Sequence, residues 1–308
     1  MEQQPEKNKK VERLNEMPED WRILREKLKN FESKTDGLNI KRVKDFMKER
    51  GLPIKDFVLY DEEDILNFRE IFGENDASLI TSVGGIYLAM LDIILVRRER
   101  ALELVNGPIY EEGKLVHEMN HAANRYDTYV KKGEVVTRPR SGFVVLNTHF
   151  REYNGENVEK KENQSPWGYF LEEGFADLQR GDYVEQNISA DMKEKRNSLT
   201  TVTNEYKTLS GVVYRESEKY LSVMKDNKTV GSPFTAVAAT GLEMLCEKQP
   251  NLKQVLIEAR SDIEKLREVS RLINEIKPGL YAEIQKCGFS EEEFARVQNI
   301  IKEAIKNK

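Results

Sequence analysis

Cysteine, histidine and tryptophan are scarce in this chain, with two, three and two residues respectively among 308. Cys246 and Cys287 lie far apart in sequence and need not pair, so a reducing setting fits. Long apolar runs are missing as well. The most apolar stretch, Gly84 to Val96, is 13 residues long, too short and too interrupted to span a bilayer. Met1 to Lys10 is polar throughout and does not read as a signal peptide, which leaves only secretion that needs no such signal. Positive charge is not in excess either. Lys and Arg number 49 against 54 Asp and Glu, a net charge of −5, which gives no general attraction to nucleic acid or to an anionic membrane. The expected location is cytoplasmic, with no nucleic-acid partner and no membrane partner. With 39% hydrophobic and 33% charged residues, the chain can bury a sizeable core and hold one to three domains.

What is present is concentrated around histidine. Two of the three fall in the pentapeptide His117-Glu118-Met119-Asn120-His121. On a helix, residues four apart point the same way, so the two imidazoles can share one metal ion. Glu118 then sits about 100° around the helix, within reach of a proton on an activated water. The flanks predict such a helix. Pro108 suits its first turn, Glu111 and Glu112 follow, Lys131 and Lys132 fit its last turn, and Gly133 comes after. Leu115, Met119, Ala122, Tyr126 and Val130 recur at helical spacing, on the side opposite His117 and His121.

A catalytic zinc takes three protein ligands and keeps one position open. Residues 122–127 contain no histidine, which rules out the metzincin arrangement. His149 belongs to the apolar run Gly142 to Phe150 and reads as a strand residue with no metal role. A second short helix offers carboxylates instead. Ser165 can cap it, Pro166 fits its first turn and Gly181 fits the position after its end, which makes about four turns. It carries Glu172 and Glu173, and spacing alone does not choose between them. Asp177 follows Glu173 by four residues, on the same helix face.

The Glu173-Gly174-Phe175-Ala176 string, downstream of the HExxH pentapeptide, resembles the second zinc helix of gluzincin metallopeptidases. The aminopeptidase branch of that family carries a very similar Glu-Gly-Phe-Ala. The resemblance implies Zn2+ held by His117, His121 and Glu173, with Glu118 as general base and Glu172 as a neighbour. It also implies that Asp177 hydrogen-bonds a zinc-bound histidine, as the acid at that offset does in the thermolysin-like branch. The spacing departs from the family, because 52 positions separate His121 from Glu173. In that insertion Val135–Arg138 and Ser141–Asn147 read as extended segments, able to form a hairpin across Pro139 and Arg140. Glu152–Gln164 reads as an exposed loop. A hairpin there can wall a cleft or gate it.

The expected fold is α+β: a zincin-like core with a small sheet and two metal-bearing helices, flanked by largely α-helical N- and C-terminal regions. Residues 1–17 are expected as a disordered tail, 18–75 as a helical region with Phe57–Tyr60 extended, 76–185 as the catalytic core and 186–308 as helical. Gly84–Val96 reads as strand, bent into two pieces. By the resemblance, its edge pairs with a substrate peptide. Leu252, Val255, Leu256, Ala259, Ile263 and Leu266 recur with helical period, as do Phe294, Val297, Ile300, Ile301 and Ile305.

The expected activity is hydrolysis of peptide bonds in a peptide or protein substrate. Zinc activates water and the scissile carbonyl, and Glu118 moves the proton. An oxyanion donor is also needed; among Tyr206, Tyr214 and Tyr220, Tyr214 beside Arg215 is the choice. An aminopeptidase requires an acidic anchor for the substrate amine, and Glu172 and Asp92 are the carboxylates considered. The competing reading is a catalytically inactive zincin-like domain that binds a peptide or a partner. A protease whose cleft is covered by residues 1–75 or 186–308 is a third.

Overall fold

In the computed structural model the described residues are 19–73, 83–89, 91–122, 124–131, 134–145, 148–153, 156–161, 168–199, 205–207, 213–215, 218–220, 222–223, 230–231, 235–260 and 262–306. They form a mixed α+β protein, mostly helical. The expected tail, Ser165–Trp167 and most of the expected break at 226–233 lie outside the described residues. In chain order the elements begin with α1 (Glu19–Lys29), α2 (Ile40–Glu49), β1 (Asp56–Tyr60), α3 (Ile65–Phe72), β2 (Gly85–Leu88) and β3 (Ile93–Arg97). Then come α4 (Arg100–Asn106), α5 (Pro108–His121), β4 (Asn124–Lys131), β5 (Glu134–Ser141), β6 (Val144–Val145), β7 (Thr148–Tyr153), β8 (Glu156–Lys161) and α6 (Tyr169–Asn187). The rest are α7 (Ala190–Leu199), β9 (Glu205–Lys207), β10 (Val213–Arg215), β11 (Ser222–Val223), β12 (Val230–Gly231), α8 (Ala236–Lys248), α9 (Leu252–Glu258), α10 (Ile263–Ile276), α11 (Leu280–Gln285) and α12 (Glu291–Lys306).

Two compact units result. One comprises the described residues up to Lys34 together with Lys55–Arg98. Its sheet has the order β1-β3-β2, with β1 parallel to β3 and β2 antiparallel. The apolar run of 84–96 does bend into two strands, turning at Asp92, which takes a positive φ of 48°. The Asp92 carboxylate receives the Lys55 ammonium and the Tyr87 hydroxyl. Ile93 to Val96 are buried without a break, the pattern of a central strand covered on both faces. Val58, Tyr60, Ile93 and Leu95 alternate onto the face that packs with Leu28 and Phe68 from α1 and α3.

The second unit comprises Thr35–Ile54 with Glu99–Lys308. Its centre is α6, buried along most of its length, packed between α5 and α8. Gly174 makes the α8 contact possible: a Cβ there would lie 2.9 Å from the backbone carbonyl carbon and oxygen of Ala238. Buried Glu112 ties α5 to two neighbours, accepting from Arg42 of α2 and from the Tyr183 hydroxyl of α6.

Five expectations about these elements are corrected. The helix that carries His117 and His121 stops at His121, and residues 124–131 form β4, antiparallel to β5. Tyr126, Thr128, Tyr129 and Val130 are aromatic or β-branched, and cross-strand pairing with β5 outweighs their place in a helical stripe. The expected turn at Pro139–Arg140 is displaced, because β5 runs through both residues and turns at Gly142–Phe143 into β6. Part of the expected loop at 152–164 is strand, with β7 and β8 paired from Thr148↔Lys161 to Tyr153↔Glu156. The order β4-β5-β7-β8, with β6 on β5, makes the insertion one antiparallel sheet. The helix that carries Glu172 and Glu173 also runs further than expected. Gly181 lies inside α6 because a Cβ would meet the Tyr220 ring at 2.5 Å; this glycine allows close approach and does not end the helix. Between α7 and α8 the chain forms the short ladders β9–β10 and β11–β12, so the expected helical region after 186 is interrupted. From α8 onward it is helical, and the two periodic stretches form α9 with α10 and α12.

Candidate metal centre

The site lies where α5 and α6 cross. His117 and His121 occupy the last turn and a half of α5 and face α6, so they do not project from a solvated surface; their side chains are 14% and 13% exposed. The two Nε2 atoms are 3.0 Å apart, and Glu173 Oε2 lies 3.4 Å from His117 Nε2 and 3.6 Å from His121 Nε2. Among the described residues these three form the one group of histidine, cysteine and acidic side chains whose ligand atoms converge closely enough to hold a metal ion. A tetrahedral ion with bonds of about 2.0–2.1 Å separates its ligand atoms by about 3.3 Å, and the observed triangle matches that size.

The outward ring nitrogens explain the orientation. His117 Nδ1–H donates to Asp177 Oδ1 at 2.8 Å, and His121 Nδ1–H donates to Glu172 Oε1 at 2.7 Å. Carboxylates accept only, so both rings carry the proton on Nδ1 and turn the Nε2 lone pair towards Glu173. Two lone pairs 3.0 Å apart repel unless a cation or a proton lies between them. Without a metal the site answers with protons. Burial opposes charge on His117, but Asp177 and Glu173 outweigh it and raise this imidazole to about 9. His121 is raised well above its ordinary value, with burial again overcome by Glu173 and Glu172. Glu173 is held far below the usual carboxylate range, since the two histidines overcome its burial. The charge and geometry of the three groups thus suit a cation placed between them.

Both supporting carboxylates are themselves held. Glu172 is buried; Arg260 grips it with Nη1–Oε2 at 2.5 Å and Nη2–Oε1 at 3.0 Å, and the Phe143 amide donates to Oε2 at 2.5 Å. Burial would raise this carboxyl, yet Arg260 and His121 hold it below its ordinary value. The Gly142–Phe143 turn fits around this grip, with Gly142 at φ 56° and no room for a Cβ beside Arg260 and Glu172. The Arg260 guanidinium lies 5.0 Å from the Phe143 ring centroid and 5.2 Å from that of Phe175. Asp177 is equally enclosed: Thr235 Oγ1 donates to Oδ2 at 2.6 Å and Arg180 Nε lies 2.9 Å from Oδ1.

Glu118, one step along α5 from His117, is 8% exposed. Burial is the largest influence on it and raises its carboxyl, although His117 and His121 pull the other way. Tyr214 lies in β10 opposite Tyr206, in a strand and not in a helical segment, and its side chain is outside the described set. Tyr220 is buried beside Gly181. His149 lies in β7 opposite Lys160. Of the carboxylates considered as an amine anchor, Glu172 is enclosed by His121, Arg260 and Phe143, and Asp92 is paired with Lys55. Sequence reading missed Arg260, Thr235 and Arg180. Arg180 carried a signal, three residues beyond Asp177 on one helix, whereas Arg260 stands 88 positions from Glu172 and carried none. No protein-family model, no curated protein and no solved structure matches the chain.

Proposed function

We propose that this chain is a zinc-dependent metallopeptidase of the gluzincin type, hydrolysing peptide bonds of a peptide or protein substrate in the cytoplasm. The observation that carries the reading is the triangle of His117 Nε2, His121 Nε2 and Glu173 Oε2, with both Nδ1 atoms tied to carboxylates. Two imidazoles and one carboxylate are a zinc donor set that leaves a coordination position for chemistry. Zinc bound there would supply a Lewis acid, polarising a carbonyl oxygen and making water a nucleophile near neutral pH.

The remaining steps belong to the protein. Asp177 and Glu172 fix the tautomer of each histidine, so both Nε2 atoms stay available as donors. Glu118 takes the proton from the attacking water and passes it to the leaving nitrogen. Its buried position raises its carboxyl above the ordinary range, which strengthens it as a base for that proton. Tyr214 is the candidate donor for the oxyanion. No helix among the described residues is long and apolar enough to cross a membrane.

Replacement of Glu118 by Gln tests the assignment. The variant is expected to bind zinc like the wild type and to lose peptide hydrolysis by a factor of about 100 or more. Hydrolysis at the wild-type rate would refute the role of Glu118. A zinc-loaded wild type that binds peptides without cutting any member of a diverse library would favour the inactive binding domain.

A further inference from the structure

Arg180 lies seven residues beyond Glu173 on α6, about 10 Å along the helix axis. It is 7% exposed, and it borders a cavity of about 40 Å³, room for about three water molecules. Arg180 and Val184 of α6, Tyr110 of α5, Met192 and Arg196 of α7, and Lys219 are among its walls. Three cationic side chains thus face one small space, and among the described residues no carboxylate belongs to the lining. The carboxylates that balance these cations stand behind them. Arg196 meets Glu185 at 2.6 Å, and Lys219 meets Glu243 and Asp182. Arg180 Nε lies 2.9 Å from Asp177 Oδ1, and among the described residues neither Nε nor Nη2 has a hydrogen-bond partner. A buried guanidinium nitrogen without an acceptor is a costly arrangement that an oxyanion would relieve.

We propose that this cavity binds a compact oxyanion, of the sulfate or phosphate type or the carboxylate of a small acid, and that binding is felt at the metal ligands. The path is Arg180 to Asp177 to His117, each step a contact already described; this half rests on the metallopeptidase reading. An oxyanion that shares the Arg180 guanidinium leaves more negative charge on Asp177 for the His117 N–H. The imidazole becomes a stronger donor, so oxyanion and zinc tighten one another's binding.

The test is thermal unfolding of the metal-free, full-length chain in sodium sulfate or sodium acetate, against sodium chloride at equal ionic strength. A saturable rise in Tm of several degrees is expected with at least one of them, and the anion that saturates at lower concentration identifies the source class. Met192→Glu places a carboxylate in the cavity and should abolish the saturable part, leaving the general salt effect of sulfate. Arg180→Met should weaken the response at least tenfold. Glu173→Ala should retain it, which separates this cavity from anion capture at the metal ligands. Zinc affinity, from competition with a chromophoric chelator, should rise about fivefold or more in saturating sulfate. Equal responses of wild type and Met192→Glu would mean that the cavity holds water only and would overturn the site. Unchanged zinc affinity in the presence of a saturable sulfate response would overturn the coupling.

Discussion

Replacing Arg260 by Leu removes the grip on Glu172 and leaves that carboxylate buried, with His121 Nδ1–H and the Phe143 amide as its remaining donors. Arg260 and Glu172 side chains are each 2% exposed, so water cannot take over. Breaking a buried pair by deleting one partner costs about 3–5 kcal/mol, because the survivor keeps its desolvation penalty. For a folding unit of this size each kcal/mol lowers Tm by about 2–4 °C, so the metal-free variant should melt about 6–20 °C earlier. Glu172 would also be free to protonate or to turn away from His121. Losing such an outer partner weakens metal binding by about 10–100-fold. Calorimetry of the metal-free protein reads the first effect and chelator competition the second. Arg260→Lys, which keeps the charge and loses the fork, should recover part of the zinc affinity. Wild-type Tm and wild-type zinc affinity in Arg260→Leu would refute the claim that this arginine supports the site.

Two further outcomes follow from the same geometry. Gly174→Ala should destabilise the protein by about 1–3 kcal/mol, since the added methyl forces α6 from the Ala238 backbone; a melting temperature equal to that of the wild type would contradict this packing. In the metal-free protein, His117 contributes stability that is complete below its unfolded value near 6.5 and is lost as pH rises through about 9. Urea unfolding between pH 6.5 and 9 should therefore show a decline on the order of 3 kcal/mol, absent when zinc replaces the proton; a flat profile would contradict it.

The histidine pair and the carboxylate face of the second helix were legible as helix-periodic strings, while Glu173 itself was named by the resemblance of Glu173-Gly174-Phe175-Ala176. His117 and His121 are four apart, and so are Glu173 and Asp177, which lets spacing alone predict shared faces. The choice between Glu172 and Glu173 was not legible from spacing, since adjacent residues on a helix can both reach one site. The geometry separates them, with Glu173 on the Nε2 side and Glu172 on the far nitrogen of His121. Helix ends were harder to read. Tyr126 and Val130 continue the stripe of Leu115 and Met119 at helical spacing, but Tyr126, Thr128 and Val130 also alternate, and pairing with β5 decides between the two periods. Gly181 looked like a helix stop because glycine commonly is one; only Tyr220, distant in sequence, reveals that it makes room. Arg260 and Thr235 depend on how α8, α9 and the loops before and after them fold against α6. No local pattern reports that.

The most direct test of the metal centre is elemental analysis of protein purified without chelator, with Glu173→Ala measured beside it. About one zinc per chain in the wild type, and little in the variant, is the predicted result. No zinc in the wild type, and none taken up on titration, would contradict the metallopeptidase reading at its root.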